Sequence, residues 1–399
     1  MRILLLNQFF WPDLAATSQL LTDVARHLAA EGHDVTVVCG RSGYAGHDTT
    51  PAPPVRIIRV PDAAFSRGYA ARLFSYLTYF GAALWNGMRI ANPDIVVTLT
   101  TPPLLSTVGM LIQKLRGARH YIWEMDLYPD VAVDLGLLGA GSVVSRVGGA
   151  IADFTRVRAD AVITLGECMR SRLIVRGIPA GRLRVAENWA DGSLFHPLPR
   201  VRGDSLRVIY PGNLGMAHEA ETLARTIRGL GPDDRVTFRF VGGGSRMGWL
   251  KQAVSGLDHT SFQPYCDRSA LNERFAESDV GLVTQNAACT GSVVPSKIYC
   301  MMAAGLPYVF VGPRAATPGR VLDRFDCGWR VECGDSAALC DLLRGLASDP
   351  AAVRAAGLRA RAAFLEHYDT PAGARRISEI LGCGMPATRH SLVPVEGAR

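Results

Sequence analysis

Short apolar runs alternate with helix-like segments along most of this 399-residue chain, and that alternation restricts the possible folds more than any other feature. Residues 3–6 form one such run, and residues 18–30 behind it have apolar side chains at helical spacing. Strands that alternate with helices predict a parallel, doubly wound α/β sheet. Further strands are predicted at 35–39, 55–60, 95–99, 120–123 and 161–165.

The alternation stops at residues 189–205, which are rich in Pro, Gly and polar residues and predict a linker. It then resumes, with strands predicted at 206–210, 236–241, 260–262, 280–283 and 308–311. We therefore expect two Rossmann-like α/β/α domains, at 1–188 and 206–370. Residues 371–383 are predicted as a C-terminal helix that returns to the first domain, and residues 384–399 as a mobile tail.

The composition excludes several classes of protein. With 48% hydrophobic and 20% charged residues, the chain is not mainly disordered, and it lacks the long apolar runs of a multi-spanning membrane protein. The nine cysteines form no CxxC pair, which argues against a disulfide framework or a zinc site and favours a reducing compartment. The apolar start ends at Pro12 and Asp13, as a strand does and a signal peptide does not, so we expect a cytoplasmic protein.

The net charge of +7 comes from 43 Lys and Arg residues against 36 Asp and Glu, and only three of the cations are lysines. Two interpretations of the arginine excess stay open. It reflects a GC-rich coding sequence, or it gives affinity for anionic lipid head groups or phosphorylated substrates. A nucleic-acid partner is not expected, because no basic run interleaved with aromatic residues occurs.

The strongest candidate site lies in residues 291–312, where a strand runs through a loop of small residues into a helix predicted from about Pro295. The backbone N–H groups of Ser296 and Lys297 would point at any group bound at that helix end. Together with the Lys297 side chain they make an anion site that suits a diphosphate. The alternative is a capped surface helix with a solvated lysine.

Two glycine turns, at 210–215 and 241–244, follow predicted strands in the same domain. Glycine permits close backbone approach to a ligand, and His218 is expected in the first turn of a helix that begins near Ala217. Ligands of open α/β sheets bind at the carboxyl ends of the strands. The candidate donor-site residues are Gly212, Asn213, Gly215, His218, Gly242, Gly243, Ser292, Val294, Pro295, Ser296 and Tyr299.

In the first domain, Glu124, Asp126 and Asp130 follow the predicted strand 120–123. One of these acids could serve as a base or bind sugar hydroxyls, and Asp126 is the catalytic candidate besides Lys297. The alternative is an N-cap or a solvated loop.

Residues 67–89 have Leu73, Leu77, Phe80 and Leu84 at helical spacing, further aromatic residues nearby and arginines at both ends. The apolar part is shorter than the roughly 20 residues that span a bilayer. Two interpretations stay open, an interfacial helix on a membrane surface and an ordinary core helix of the first domain.

The usual dinucleotide and P-loop fingerprints are missing, which disfavours an NAD enzyme or a P-loop NTPase. The chain instead resembles a family 4 glycosyltransferase of the GT-B fold over residues 1 to about 382. GHDVTVV, EMDLYPD, VIYPGNLGMAHEAETL and PSKIYCMMAAGLPYVFVGP carry the resemblance. DLYPD and VVPSKIY are similar to the subgroup that builds bacterial surface polysaccharides such as colanic acid and O-antigen.

The resemblance implies two Rossmann-like domains that face each other across a cleft, with the nucleotide-sugar donor in the second and the acceptor in the first. It implies a retaining transfer without a cofactor or a catalytic metal, in which Lys297 stabilises the leaving diphosphate. The expected donor is UDP-linked. The expected acceptor is a saccharide on a polyprenyl diphosphate, at the inner face of the cytoplasmic membrane.

The chain departs from the family pattern at three positions. Ser292 and Cys300 stand where the family often has two glutamates eight positions apart, and Asn213 stands where it has an arginine. These departures motivate an alternative, a catalytically degenerate GT-B subunit that binds a partner transferase. A nucleotide-sugar 2-epimerase is a further alternative, although the sequence shows no acid/base set of His and carboxylates for it.

Overall fold

The computed structural model describes residues 1–41, 50–61, 69–199 and 203–383. Within these ranges the chain forms two parallel sheets, one in each half. The predicted tail 384–399 and residues 200–202 of the predicted linker lie outside the described residues.

The first sheet is built from β1 (Arg2–Leu6), β2 (Asp34–Gly40), β3 (Arg56–Val60), β4 (Ile95–Thr98), β5 (Arg119–Trp123), β6 (Ala161–Thr164) and β7 (Leu183–Val185). Its order is β3-β2-β1-β4-β5-β6-β7. Its helices are α1 (Ala16–Ala30), α2 (Tyr69–Arg89), α3 (Ser106–Arg116), α4 (Asp130–Asp134), α5 (Val143–Arg158) and α6 (Glu167–Val175).

The second sheet is built from β8 (Leu206–Asn213), β9 (Val236–Gly243), β10 (Thr260–Gln263), β11 (Val280–Thr284), β12 (Tyr308–Val311) and β13 (Gly328–Val331). Its order is β10-β9-β8-β11-β12-β13. The helices are α7 (Glu221–Gly229), α8 (Met247–Ala253), α9 (Arg268–Ala276), α10 (Lys297–Ala303), α11 (Thr317–Phe325), α12 (Ser336–Ser348), α13 (Pro350–His367) and α14 (Thr370–Leu381).

The central strands are apolar without alternation because helices cover both faces of each sheet. β4 reads IVVT and β12 reads YVFV, and every residue of both is buried. The predicted α/β class with two doubly wound sheets is confirmed. The sequence missed β7 and β13, two short strands that lie at the edges of their sheets.

Each sheet changes the direction of its strand order beside its first strand, since β1 lies between β2 and β4 and β8 lies between β9 and β11. Ligands of open α/β sheets bind at such a switch point, beyond the carboxyl ends of the strands. In the second sheet that position lies beyond Asn213 and Thr284, the last residues of β8 and β11.

The first chain crossing between the domains is packed rather than loose, although the sequence predicted a linker there. The Trp189 ring stacks on Trp123 with 5.9 Å between centroids, and Trp189 Nε1 donates to Asp23 at 2.9 Å. Phe195, further along the same segment, is buried in the second domain.

The second crossing lies beside the first. Ala190 N donates to the carbonyl oxygen of Tyr368 at 3.0 Å, and Thr370 N donates to the carbonyl oxygen of Ala190 at 3.1 Å. Beyond it, α14 packs against α1, where Ser378 Oγ donates to Glu31 at 2.6 Å. The C-terminal helix thus joins the core of the first domain.

Candidate functional site

A cavity of about 430 Å³ lies at the switch point of the second sheet. Its described lining carries one lysine and one histidine but no carboxylate. The lining residues are Pro211, Gly212, Asn213, Ala217, His218, Leu271, Phe275, Gln285, Val293, Val294, Pro295, Ser296, Lys297 and Cys300. Of the predicted donor-site residues, the structure therefore brings together Gly212, Asn213, His218, Val294, Pro295, Ser296 and Lys297.

Lys297 supplies the positive charge of this cavity. Its Nζ donates to the carbonyl oxygen of Asn213 at 3.1 Å and lies 3.9 Å from the centroid of the Tyr210 ring. Among the described residues it has no carboxylate partner, and burial lowers the pKa of Lys297 to about 7. An anion in the cavity would therefore compete with no acidic side chain for this ammonium group.

His218 presents a hydrogen-bond donor to the same cavity. Its Nδ1 accepts a hydrogen bond from Gly215 N at 3.0 Å, which places the proton of the neutral ring on Nε2. Burial, followed by the charge of Lys297, lowers the pKa of His218 to about 3, so the ring stays neutral at physiological pH. The predicted helix start near Ala217 is wrong, because α7 begins at Glu221 and His218 lies in the loop before it.

The helix that follows the candidate anion site also begins later than predicted. α10 starts at Lys297 rather than near Pro295 and has seven residues. So short a helix adds little to the local positive potential, since the dipole effect comes from aligned peptide units. The anion site therefore depends mainly on the Lys297 side chain.

The glycines of the two turns hold the ends of β8 and β9 together. Gly242 has a φ of +143°, and a Cβ there would lie 2.2 Å from the carbonyl oxygen of Gly212. Gly243 and Gly215 do not line the cavity: a Cβ on Gly243 would meet the Tyr265 ring at 3.0 Å, and Gly215 donates to His218. Of the four predicted turn glycines, only Gly212 borders the cavity.

Besides the three glycines, two more predicted donor-site residues lie outside the cavity. Tyr299 is fully buried, and its ring packs on Tyr368 with 4.9 Å between centroids, so it belongs to the core. Ser292 is also fully buried, and its Oγ donates to the carbonyl oxygen of Cys289 at 3.2 Å. The sequence missed Phe275, Leu271 and Gln285, which also line the cavity.

Asp126 lies where the two domains meet. Its neighbour Leu127 donates its backbone N–H to the carbonyl oxygen of Ser292, across the domain boundary, at 2.9 Å. Burial, with a smaller contribution from the charge of Glu124, raises the pKa of Asp126 to about 6. A carboxyl group with such a pKa can exchange protons near neutral pH.

The other two candidate acids are held in ion pairs. Arg156 Nε donates to Glu124 at 2.7 Å. Arg172 lies 3.0 Å from Asp130 and 2.8 Å from Asp134, and its Nη1 donates at 3.2 Å to the carbonyl oxygen of Thr290, in the second domain. Glu124 thus serves the interior of the first domain, and Asp130, through Arg172, the domain boundary.

The described part of segment 67–89 is α2, which packs one side against the core and exposes apolar side chains on the other. Tyr79 is buried and donates its hydroxyl to the carbonyl oxygen of Val38 at 2.8 Å, so one side of the helix is core. Phe74, Leu77 and Trp85 are 61%, 62% and 61% exposed on the other side. Phe80 and Leu84, predicted on the same face as Leu77, are partly buried against the core.

In the part of the chain that the structure describes, no cluster of three or more His, Cys, Asp or Glu side chains could hold a metal ion. None of the described helices is both long and apolar enough to span a membrane.

Residues 17–189 match the family described as the glycosyl transferase 4-like domain. The chain is thus similar to that family over its first half. It is 27% identical over 290 residues to the probable glycosyltransferase WbjE of Pseudomonas aeruginosa, which covers 70% of this chain and 71% of WbjE. It is 24% identical over 363 residues to the putative colanic acid biosynthesis glycosyl transferase WcaI of Escherichia coli K12, covering 82% and 86% of the two chains.

Solved structures support the fold. Anabaena Alr3699/HepE, solved in complex with UDP and glucose, superposes with a TM-score of 0.71 at 17% identity, covering 96% of this chain and 99% of HepE. The predicted GT-B fold is confirmed by such neighbours. The family resemblance and the broader prediction of a glycosyltransferase are likewise confirmed.

Proposed function

We propose that this chain is a retaining glycosyltransferase that moves a sugar from a UDP-linked donor to a saccharide carried on a polyprenyl diphosphate, in the synthesis of a bacterial surface polysaccharide. The cavity at the switch point of the second sheet carries the proposal. Its described lining combines Lys297 and the neutral donor His218 with no carboxylate, which suits a diphosphate.

The reaction breaks the bond between the anomeric carbon of the sugar and the diphosphate oxygen. Negative charge grows on that oxygen, and Lys297 in its charged form stabilises it. His218 donates its Nε2 proton in a hydrogen bond to a phosphate or sugar oxygen. The acceptor hydroxyl attacks the anomeric carbon from the face that the leaving group occupies, and its proton passes to the leaving phosphate, so that UDP leaves without a covalent enzyme intermediate.

Asp126 is the side chain that we assign to the acceptor side of this reaction. It lies in the first domain at the boundary marked by the contact between Leu127 and Ser292. With a pKa of about 6 it is mostly ionised at pH 7, so it can accept a hydrogen bond from the acceptor hydroxyl and orient it for attack. No cofactor or metal ion takes part in this scheme.

UDP is the nucleotide that we assign to the donor. A protein of the same fold, Anabaena HepE, has been solved with UDP and glucose. Cys300 lies at a cavity position where the family often has a glutamate, so a carboxylate from that position does not hold the ribose. We therefore expect the diphosphate contacts to contribute most of the nucleotide affinity.

The lipid-linked acceptor is supported by three observations. WcaI bears the name of a colanic acid biosynthesis enzyme, the chain has a net charge of +7, and α2 exposes Phe74, Leu77 and Trp85. On this proposal the enzyme works as a peripheral protein on the cytoplasmic face of the membrane.

A thermal-shift screen against UDP, GDP, dTDP, ADP and NAD tests the donor. A specific ligand at 100 times its dissociation constant stabilises the folded state by about 2.7 kcal/mol. We expect a shift with UDP that Lys297→Met abolishes. Lys251→Met, which removes an exposed lysine of α8 outside the cavity, is the matched control and should keep the shift.

Turnover is tested by the release of UDP from UDP-sugars in the presence of polyprenyl-diphosphate-linked saccharides. If no nucleotide shifts the melting temperature and no donor turns over, the catalytically degenerate subunit replaces this proposal. A shift with GDP or dTDP alone would leave the transferase in place and change its donor.

A further inference from the structure

Helix α5 exposes an apolar side to solvent. Six of its apolar side chains are between 38% and 75% exposed, and the other exposed residues of the helix are Ala150, Arg146 and Arg158. The six are Val143, Val144, Val147, Ile151, Phe154 and Val157. An exposed helix side of a globular protein ordinarily carries mixed charges, so this one is unusual.

Helix α3 extends the apolar surface on one side of α5. Ser106 Oγ and Thr155 Oγ1 lie 2.8 Å apart and join the two helices. The outward residues of α3 are Leu111, which is 38% exposed, and Leu115, which is 60% exposed, together with Lys114 and Arg116.

Helix α2 follows on the far side of α3. A Cβ on Gly87 of α2 would lie 2.6 Å from Ile112 of α3, so the two helices are in close contact. The outward side of α2 carries Phe74, Leu77 and Trp85. We call the exposed side chains of α2, α3 and α5 the outer apolar face of the first domain.

The charges on the outer apolar face have one sign. The three helices contain a single acid, Asp153, and it is bound by Arg156 and Arg176 at 3.0 and 2.6 Å. Among the side chains that the structure describes, their exposed cations are Arg89, Lys114, Arg116, Arg146 and Arg158. Arg89 and Arg158 lie over aromatic rings of the same face, 4.3 Å from Trp85 and 3.4 Å from Phe154.

We infer that the outer apolar face is a docking surface for an anionic lipid bilayer, with the apolar side chains of α5 at its centre. Monomeric soluble proteins rarely expose so extended an apolar surface. Interfacial helices combine large apolar side chains with Lys and Arg, which pair with anionic head groups while the apolar side chains enter the acyl boundary. A tryptophan beside an arginine is typical of that boundary.

The charge pattern favours lipid over a second copy of the chain. A symmetric dimer through this face would bring two sets of five exposed cations together, with no exposed acid of the three helices to neutralise them. Lipid phosphates neutralise all of them. The link between this surface and a lipid-linked acceptor rests on the proposed function, whereas the contact with lipid does not.

Co-sedimentation of the full chain with vesicles tests the inference. We expect binding to phosphatidylcholine vesicles that contain phosphatidylglycerol, and at least about tenfold weaker binding to phosphatidylcholine alone. The variant Val144→Glu with Val147→Glu should lose about tenfold or more in affinity for the anionic vesicles. Both side chains are more than half exposed, at 68% and 51%, so the fold should tolerate the change.

The matched control places the same charges on exposed leucines of α13, in the second domain. Leu358→Glu with Leu365→Glu alters side chains that are 68% and 53% exposed and should bind anionic vesicles as the wild type does, apart from the loss due to net charge. The UDP-induced thermal shift reports on the donor site and should be the same in both variants.

Three results would overturn the inference. They are no binding of the wild type to anionic vesicles, equal losses in the two double variants, and a wild-type dimer that Val144→Glu with Val147→Glu converts to a monomer without any lipid binding. The last result would assign the face to a second copy. If the wild type binds vesicles but no nucleotide shifts its melting temperature, the donor assignment is refuted and the inferred lipid surface is retained.

Discussion

The affinity for UDP should depend steeply on pH above 7 because of Lys297. With a pKa of about 7, about half of this lysine is charged at pH 7 and about one in a hundred at pH 9. The diphosphate binds the charged form, so a neutral Lys297 must take up a proton when UDP binds. The terminal phosphate of UDP, with a pKa near 6, is already ionised over this range.

The size of the effect follows from these fractions. The apparent Kd should rise about 50-fold between pH 7 and pH 9, which is about 2.3 kcal/mol. At pH 8 the binding of each UDP should take up about 0.9 proton, because about nine in ten lysines are neutral beforehand. His218 does not contribute, since its pKa of about 3 lies far below this range.

Isothermal titration calorimetry at pH 7, 8 and 9, in buffers with different ionisation enthalpies, measures both quantities. Lys297→Met should bind weakly at every pH without proton uptake, and Lys297→Arg, which stays charged, should show a flat pH profile. A wild-type Kd that stays constant from pH 7 to 9, or a slope that survives in Lys297→Met, would refute the assignment of the diphosphate to Lys297.

Three further variants test the acceptor side and the domain junction. Asp126→Asn should lower kcat/KM by about 10²-fold and remove its rise through pH 6, as measured by a pH–rate profile against wild type. Burial raises the pKa of Asp23 to about 6, so stability should fall as pH rises from 4 to 6. Asp23→Asn should remove that fall and raise the free energy of unfolding by about 1–3 kcal/mol at pH 7, as measured by urea unfolding at pH 4 and pH 7. Gly373→Ala should cost about 1–3 kcal/mol in the same assay, because its Cβ would lie 2.2 Å from the Trp189 ring; an unchanged midpoint would contradict that packing.

The central strands of both sheets could be located from the sequence because buried parallel strands are continuous apolar runs. The edge strands β7 (LRV) and β13 (GWRV) could not, because an arginine interrupts a run of only three or four residues. β7 has one buried residue of three, Leu183, and β13 has only Val331 of four. Such segments carry too little apolar periodicity to be told from loops.

The candidate site was predicted in part. Lys297 could be predicted from its place between a strand and a helix. Tyr299, which was predicted with it, does not line the cavity. An α-helix turns by about 100° per residue, so a side chain two positions after Lys297 points to the opposite side and enters the core. Cys300, three positions on, returns to the side of Lys297 and lines the cavity. Phe275 and Leu271 come from α9, far away in sequence, and no local pattern links them to the site.

The outer apolar face could not be derived from periodicity, because α5 reverses the usual rule. Its large apolar side chains point outward, whereas its buried residues are Gly149, Ala152, Thr155 and Arg156. A sequence pattern reports which residues share a helix side but not which side meets the core. Only the packing of α5 against its neighbours distinguishes the two sides.

The two chain crossings at Ala190 and Asp369 run side by side and are hydrogen-bonded to each other. A body attached to another at two adjacent points on one edge can swing about the line through those points, but it cannot slide. We therefore expect the gap between Lys297 on one domain and Asp126 on the other to change mainly by rotation about that line. If the same rotation serves both opening and closure, one substitution that stiffens this junction should slow the entry of substrate and the departure of UDP together.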